Sequence, residues 1–509
     1  MVGGCSCIMS NLILKNTVAN IISKIWSILS LYLFVPLWIH YLGVEGYGVI
    51  SFYTILMTLM FFADAGLTAT LTREFARGDI DDSYRRNLLR TIELVYLGIA
   101  IFLFLIIFVF SDFIVNQFLK SNILEHDELR LCVQIMGLTM AVHFMYSLYS
   151  GGLCGLQKQV LSNVISVTYS FSRCALVIIP LMIAPTILSF FLWQLLSIII
   201  ALFFVRRYLV HSISGSDSIP AFRKDYLKSI WKFAFGMMLM AVISALNTQL
   251  DKLVTGNVLS LEDLGYYSLA STIGIAVISI LQPIGVAIYP ELTRLLSCNK
   301  QKMEQLLLIF SYIVSSLSAA ASLTLFLYID EFTYLWTHNE SIVQAIHIPA
   351  RLLIAGNFFQ SLQLPAYFLA LANGHTKTNV KLGLGMLIFM IPSVFIFTRK
   401  WGLNATAVPY LILNVLATFY FAFFILRRFM RDQLYTWVKY TIIPVGFISV
   451  FLLISYFILL ISGIMNSALI ALGVGSILCI ISIYVAIRLF IRMVPEVIDY
   501  VPARARCLF

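Results

Sequence analysis

Residues 187–205 read ILSFFLWQLLSIIIALFFV, nineteen consecutive residues without a charged side chain, and Arg206 and Arg207 follow directly. An α-helix of about 20 apolar residues crosses the ~30 Å hydrocarbon core of a bilayer. Uncharged stretches of similar length recur from one end of the 509-residue chain to the other, and basic residues cluster between them. This pattern predicts an integral membrane protein built from many transmembrane helices.

The composition supports the same class. Hydrophobic residues make up 61% of the chain and charged residues only 11%, whereas about a quarter of a typical soluble domain is charged. The apolar runs are continuous, without the polar and apolar alternation of a transmembrane β-barrel, which excludes that architecture. The net charge of +10 does not indicate nucleic-acid binding, because the basic residues stand between the hydrophobic stretches.

Motifs for metal or nucleotide chemistry are absent from the sequence. The eight cysteines show no metal-ligand spacing beyond one short pair, Cys5 and Cys7. Neither a Gly-x-x-x-x-Gly-Lys-Ser/Thr phosphate loop nor a His-Glu-x-x-His pair occurs. We therefore expect no metal site, no cofactor and a membrane transporter rather than an enzyme.

The hydrophobic stretches predict fourteen transmembrane helices. Their expected ranges are 16–40, 49–72, 91–111, 131–152, 161–183, 187–206, 230–250, 265–289, 304–328, 347–371, 377–398, 403–426, 438–460 and 466–489. The loops are short, and the longest is a basic segment. The predicted organisation is an N-terminal six-helix lobe at 1–206, a cytoplasmic basic linker at 207–229, a C-terminal six-helix lobe at 230–430, and two extra helices with a cytoplasmic tail at 431–509.

The distribution of basic residues predicts the orientation of these helices. Of the 34 Lys and Arg residues, twenty-six fall in loops on one side of the predicted membrane and five in loops on the other. Cytoplasmic loops carry the excess of Lys and Arg in membrane proteins. We therefore expect both termini to be cytoplasmic.

An internal repeat connects the two predicted lobes. Residues 42–51, LGVEGYGVIS, join the first two predicted helices, and residues 259–268, LSLEDLGYYS, join the seventh and eighth. Leu, Glu, Gly and Ser recur in register about 217 residues apart. Because six helices separate the two segments, the repeats would have the same orientation and be related by a pseudo-twofold axis along the membrane normal, an arrangement known in transporters.

Several short segments carry a resemblance to a known family. They are LGVEGYG at 42–48, QLDKL at 249–253, LEDLGYY at 261–267, YPELTR at 289–294 and ANGHTK at 372–377. With these segments the chain resembles Wzx-type polysaccharide flippases, the polysaccharide-transporter branch of the superfamily that also contains multidrug extruders and lipid II flippases. The resemblance covers nearly the whole chain.

The resemblance implies a fold, a substrate and a location. Family members have a V-shaped pair of six-helix lobes, commonly with two extra helices. They move undecaprenyl-pyrophosphate-linked oligosaccharide units, such as O-antigen units, from the cytoplasmic to the periplasmic leaflet of the bacterial inner membrane. Expected partners are this lipid-linked oligosaccharide, the lipid bilayer and other polysaccharide assembly proteins.

Basic residues inside the predicted helices are candidates for substrate binding, since a charge in a span is costly unless it faces water or protein. Lys and Arg can compensate a lipid pyrophosphate, and polar stripes can bind sugars, although Ser residues also pack ordinary membrane helices together. The predicted substrate-binding residues are Lys24, Arg173, Arg351, Asn20, Ser166 and Ser170. A further polar stripe, Asn357 to Gln363, lies in the tenth predicted helix.

Two acidic residues are candidates for coupling transport to an ion gradient, with proton or sodium left open. They are Asp64 in the second predicted helix and Asp251 in the seventh. The alternative is a structural role, with Asp64 balancing Lys24, or Asp251 interacting with Lys252 or capping a helix end. His143, a lone imidazole in the fourth predicted helix, is interpreted as a core residue.

Two other functions remain open from the sequence. A cation-coupled multidrug exporter of the same superfamily is the nearest alternative, although the net basic charge inside the spans would repel cationic drugs. A polysaccharide polymerase is the alternative from the enzymes, and it would show one large outer loop that this chain lacks.

Overall fold

The computed structural model of the protein describes residues 2–64, 66–77, 81–213, 222, 242–462 and 467–493. Every regular element in these ranges is helical. The α-helices are α1 Val2–Asp64, α2 Leu67–Ala76, α3 Asp82–Val109, α4 Ser111–Phe118, α5 His126–Gly155, α6 Gln159–Phe171, α7 Ile178–Ile183, α8 Ile187–Ser212, α9 242–258, α10 Leu261–Gly274, α11 Ala276–Cys298, α12 Lys300–Leu327, α13 Ile329–Thr337, α14 Glu340–Leu362, α15 Leu364–Ala372, α16 Thr376–Trp401, α17 Leu403–Thr406, α18 Val408–Tyr420, α19 Arg427–Phe429, α20 Leu434–Ile461 and α21 Ala468–Met493.

Twelve segments of the described chain are long and apolar enough to cross a membrane. One of them, Val18–Met60, has 43 residues, about twice the length that a single crossing needs. It covers most of the first predicted helix, 16–40, and the first half of the second, 49–72. Between them lies Gly43, where the backbone is non-helical with φ 70°. The seventh predicted helix, 230–250, lies largely outside the described residues. The prediction of an all-α membrane protein with about fourteen spans is confirmed.

The second predicted helix, 49–72, is divided in two. Gly66 has a left-handed backbone with φ 71° between α1 and α2, a conformation that glycine adopts without steric cost. The carboxylate of Asp64 accepts hydrogen bonds from the backbone N–H of Thr68 at 3.2 Å and from its hydroxyl at 2.6 Å. This carboxylate therefore stabilises the start of α2, and a continuous helix over 49–72 was wrong.

The duplication predicted from short motifs also appears in the helix pattern. α3 and the short α4 start at residues 82 and 111, and α12 and the short α13 start about 218 residues further along, at 300 and 329. In each case a long apolar helix is followed after one residue by a short helix with two acidic or polar residues in its first turn. This spacing matches the offset of the sequence repeat.

The chain divides into two compact units, Met1–Gly265 and Tyr266–Phe509. The boundary predicted from the repeat was earlier, at 207–229, a segment that lies almost wholly outside the described residues. Residues 257–265 belong with the first unit because they contact it directly. Lys120 donates from Nζ to the carbonyl of Asn257 at 2.6 Å, and the N–H of Leu261 donates to the carbonyl of Lys120 at 3.1 Å. The lobe boundaries of the repeat stay a prediction.

Within the first unit, the two repeated motifs pack against each other through equivalent residues. A Cβ atom on Gly48 would lie 2.3 Å from the carbonyl oxygen of Leu261. A Cβ atom on Gly265 would lie 2.4 Å from the carbonyl oxygen of Val44. In the repeat register Gly48 matches Gly265 and Val44 matches Leu261. The contact is thus reciprocal, as at a twofold axis, and both positions require glycine for close backbone approach.

In the second unit, the two C-terminal helices pack on α12. Trp437 of α20 donates from Nε1 to the hydroxyl of Ser311 at 2.9 Å. Tyr312 donates to the backbone carbonyl of Ala486 in α21 at 2.7 Å. Trp437 also belongs to a buried apolar cluster with Phe310 and Leu369. The extra helices are therefore an integral part of this unit's core.

The surfaces of both units carry large apolar side chains. Phe102, Val109, Ile388 and Phe419 are each at least 62% exposed. Such side chains form an unfavourable surface in water but a suitable one in lipid. Exposed polar side chains within the spans depart from this apolar surface and are therefore candidates for contact with water or substrate.

Candidate functional site

A polar network connects α1 and α6 on the surface of the first unit. Asn20 of α1 donates from Nδ2 to Oε1 of Gln159 at 3.1 Å, and Asn163 donates from Nδ2 to Oδ1 of Asn20 at 2.5 Å. Asn20 is exposed. These amides join the first and fifth predicted spans, as neither amide would be stable facing hydrocarbon without a partner.

Lys24 lies one helical turn beyond Asn20 on α1, and its side chain is exposed. It forms no ion pair with any described residue. An ammonium group at this depth costs several kcal/mol unless it reaches water or an anion. The face of α1 that carries Lys24 is therefore suited to a hydrated or anionic environment rather than to lipid.

The serine residues predicted on the fifth span lie on the same helix as Asn163. Ser166 and Ser170 follow Asn163 on α6 at spacings of three and four residues, which place them on one helix face, and both are half-buried. We call the group Asn20, Lys24, Gln159, Asn163, Ser166 and Ser170 the α1/α6 polar patch. The structure joins α1 and α6 through Asn20, and helical spacing places Lys24 on the face of Asn20 and the two serines on the face of Asn163.

Arg173 follows the patch within a π-helical turn, Ser172–Leu176. The carbonyls of Ser172, Arg173 and Cys174 accept side-chain hydrogen bonds from Trp193 Nε1 at 2.9 Å, Gln194 Nε2 at 2.9 Å and Trp38 Nε1 at 3.2 Å. Wider turns of this kind concentrate at functional sites. Here three side-chain donors hold the widened turn that positions Arg173.

The Arg173 side chain lies among aromatic residues of three helices. Its guanidinium carbon is 5.9 Å from the centre of the Tyr169 ring, and it lies near Tyr53 and His143. The rings of His143, Tyr146 and Tyr169 are 5.7 to 6.0 Å apart. We call these five residues the Arg173 cluster. The tyrosines were not among the predicted site residues, although the spacing of His143 and Tyr146, and of Tyr169 and Arg173, places each pair on one helix face.

Asp64 contacts hydroxyl groups rather than a cation. Besides Thr68, its carboxylate accepts a hydrogen bond from the hydroxyl of Tyr96 on α3, and that hydroxyl is 2.7 Å from the hydroxyl of Thr68. Lys24 is not among its described partners. A half-buried carboxylate held by hydroxyls retains the chemistry needed to take up a proton or coordinate sodium.

Asp251 is buried in α9, and its Oδ1 accepts the N–H of Lys252 at 2.9 Å. Its backbone carbonyl accepts the hydroxyl of Thr255 at 2.7 Å. An interaction with the neighbouring Lys252 is the structural alternative for Asp251, and its role in coupling stays a prediction.

Arg351 is the predicted cation whose charge is compensated. In the second unit it donates from Nη2 to Oδ2 of Asp330 at 2.8 Å and from Nε to the carbonyl of Phe326 at 3.3 Å. Asp330 belongs to the short helix α13, outside the spans. On the same helix, burial raises the pKa of Glu331, and the charge of Asp330 adds to that rise. The hydrogen bond to Asp330 therefore connects Arg351 to α13.

We expect Arg351 to contribute to stability through its ion pair with Asp330 and not to bind substrate. Both side chains are partly exposed, so a double-mutant cycle with Arg351→Gln and Asp330→Asn should give a coupling of about 1 kcal/mol or less in the free energy of unfolding. Thermal unfolding of the purified variants measures it. Export should stay normal at equal protein levels, and a loss of export in Arg351→Gln alone would restore this residue to the substrate path.

The polar stripe of the tenth predicted helix faces the interior of the second unit. The Tyr410 hydroxyl donates to Asn357 at 3.1 Å and to Gln360 at 3.0 Å. Gln363 donates to the carbonyl of Asn414 at 3.0 Å. These buried groups satisfy one another and hold α14 against α18, a structural use of polar residues between membrane helices. The described residues contain no cluster of metal-ligating side chains.

Comparison with known proteins identifies the family. The family model described as "Polysaccharide biosynthesis protein" matches residues 13–296, more than half of the chain. The chain belongs to this family. A Shigella flexneri protein named "Putative O-antigen transporter" is 23% identical over 388 residues, which are 74% of this chain and 88% of that protein. A Klebsiella pneumoniae protein named "Uncharacterized membrane protein in cps region" is 21% identical over 67% of this chain and 70% of its own.

Solved structures share the fold. The lipid II flippase MurJ in an inward closed conformation has a TM-score of 0.72 at 14% identity, covering 94% of this chain and 99% of MurJ. An inward-facing multidrug transporter of the MATE family has a TM-score of 0.65 at 14% identity, covering 84% of this chain and 99% of its own. The resemblance to Wzx-type polysaccharide flippases is confirmed. The chain is a multi-pass membrane protein of the polysaccharide biosynthesis family. The Shigella relative and both solved structures are named as transporters or flippases.

Proposed function

We propose that the protein moves undecaprenyl-pyrophosphate-linked oligosaccharide units from the cytoplasmic to the periplasmic leaflet of a bacterial inner membrane. The units would belong to an O-antigen or similar surface polysaccharide. Both termini would be cytoplasmic, as the loop charges predict. The relative named as an O-antigen transporter supports this substrate class.

The observation that carries the proposal is the exposed, uncompensated ammonium group of Lys24 within the α1/α6 polar patch. A lipid pyrophosphate brings at least two negative charges, and charge-assisted hydrogen bonds to an ammonium group compensate such charges well. The amides of Asn20, Gln159 and Asn163 supply donors and acceptors beside it. A sugar headgroup needs dense hydrogen bonding of this kind.

The same patch argues against export of cationic drugs. A cation entering a face with an unpaired Lys24 would meet like-charge repulsion.

Asp64, with its hydroxyl partners Thr68 and Tyr96, stays our proposed site of coupling to proton or sodium. If Asp64→Asn leaves transport equally responsive to both gradients, it is not the coupling site.

Deleting the gene tests the proposed function. We expect surface polysaccharide to be lost and single lipid-linked repeat units to accumulate. In spheroplasts these units should resist a glycosidase that cannot cross the membrane, because they remain in the inner leaflet. Plasmid-borne wild-type protein should restore the polymer.

Two other outcomes would overturn it. Single units that the external glycosidase digests would have reached the outer leaflet, which would indicate a polymerase. Unchanged polysaccharide combined with raised sensitivity to lipophilic cations would indicate a drug exporter.

A further inference from the structure

The Arg173 cluster contains buried polar atoms that the protein does not satisfy. The hydroxyls of Tyr53, Tyr146 and Tyr169 and Nδ1 of His143 have no hydrogen-bond partner among the described residues. The three tyrosines are at most 8% exposed. More than nine in ten buried polar groups in proteins are paired, so four orphans in one place call for an explanation.

The charge of Arg173 is also uncompensated. Its electrostatic neighbours in the described chain are Tyr169, Cys174 and Tyr53, without a carboxylate. An isolated charge away from water is costly unless it is paired. By contrast, Arg351 has Asp330 at 2.8 Å, so the two membrane arginines have different environments.

The orphan groups share one chemical character. Guanidinium and tyrosine hydroxyls are donors, and a neutral imidazole can present an N–H at Nδ1. Hydroxyl groups of Ser166 and Ser150 lie beside Tyr146. Each of these groups can donate a hydrogen bond to an anion, and no carboxylate is among the described neighbours of Arg173.

We propose that the Arg173 cluster binds a small inorganic anion, such as chloride or phosphate, inside the first unit. Arg173 compensates the charge, and the hydroxyls of Tyr53, Tyr146 and Tyr169 donate to the ion. Arg173 as a residue is half-buried and stands within the π-helical turn. The anion would stabilise the packing of α1, α5 and α6.

Anion binding at this cluster can be measured independently of the proposed sugar-lipid function. The purified full-length protein in lipid nanodiscs should bind radiolabelled chloride saturably, with sodium gluconate used to hold ionic strength constant. Arg173→Gln should weaken chloride affinity about a hundredfold, and Tyr146→Phe or Tyr169→Phe about tenfold each, because bonds to charged groups are the strong ones. Lys24→Met should leave chloride binding unchanged even if it abolishes export.

The tyrosine variants remove one oxygen atom and keep the ring packing, so they remain informative if Arg173→Gln does not fold. Tyr328→Phe is the matched control, since Tyr328 also has a buried, unpartnered hydroxyl but lies in the second unit. Competition distinguishes the source of the anion: displacement by inorganic phosphate alone indicates a solute site, and displacement by undecaprenyl pyrophosphate a contact with lipid headgroups. The proposal would be overturned by the absence of saturable chloride binding. It would also be overturned if Tyr169→Phe and Arg173→Gln both bound chloride as tightly as the wild-type protein.

Discussion

Replacing Lys24 by Met is expected to reduce surface polysaccharide export by about a hundredfold at unchanged protein level. Met keeps the length of the side chain but removes its charge. A charge-assisted hydrogen bond contributes about 1.5 to 3 kcal/mol, which is of the order of one to two factors of ten. Because no other described cation lies in the α1/α6 polar patch, nothing replaces Lys24 in holding a pyrophosphate.

The measurement is complementation of a deletion strain, with surface polymer quantified against membrane-inserted protein. Lys24→Arg should restore most of the export because it keeps the charge. Ile25→Ala is the matched control on the same helix, since Ile25 is 58% exposed and apolar. Normal export by Lys24→Met would show that the substrate does not depend on this cation.

Gly48→Ala is expected to lower the free energy of unfolding by about 2–3 kcal/mol and to reduce export with it. Its new Cβ would lie 2.3 Å from the carbonyl oxygen of Leu261, so the two backbones must separate. Overpacking in a close-packed interior typically costs 1–3 kcal/mol, and backbone is harder to displace than a flexible side chain. Gly265→Ala should have a similar effect, because its Cβ would meet Val44 in the reciprocal contact.

Thermal unfolding of the purified variants checks this result. Gly98→Ala is the control, since a Cβ at Gly98 meets nothing within 4 Å and alanine favours a helix interior over glycine. An unchanged unfolding midpoint in both Gly48→Ala and Gly265→Ala would contradict close packing of the repeated motifs. A large effect in only one of them would contradict the reciprocity.

The site was predicted in part because local spacing is visible in sequence. Asn20 and Lys24 are four residues apart, and Asn163, Ser166 and Ser170 follow the same period, so each set had to lie on one helix face. The pairing of the two faces through Asn20 and Gln159 was not predictable, since it depends on which helices are neighbours. The same limit applied to Arg351, whose partner Asp330 lies on a different helix.

The sequence by itself determined the class of this protein. Its long uncharged spans, the basic loops between them and the repeated motif at 42–51 and 259–268 are local features, and hydrocarbon permits such spans only as helices. Only the tertiary structure decided which of the charges inside the spans are compensated. Lys24 is exposed, Arg351 pairs with the carboxylate of Asp330, and Arg173 lies beside tyrosines whose hydroxyls lack a partner among the described residues. The free-energy cost of each charge therefore depends on neighbours that are distant in the chain.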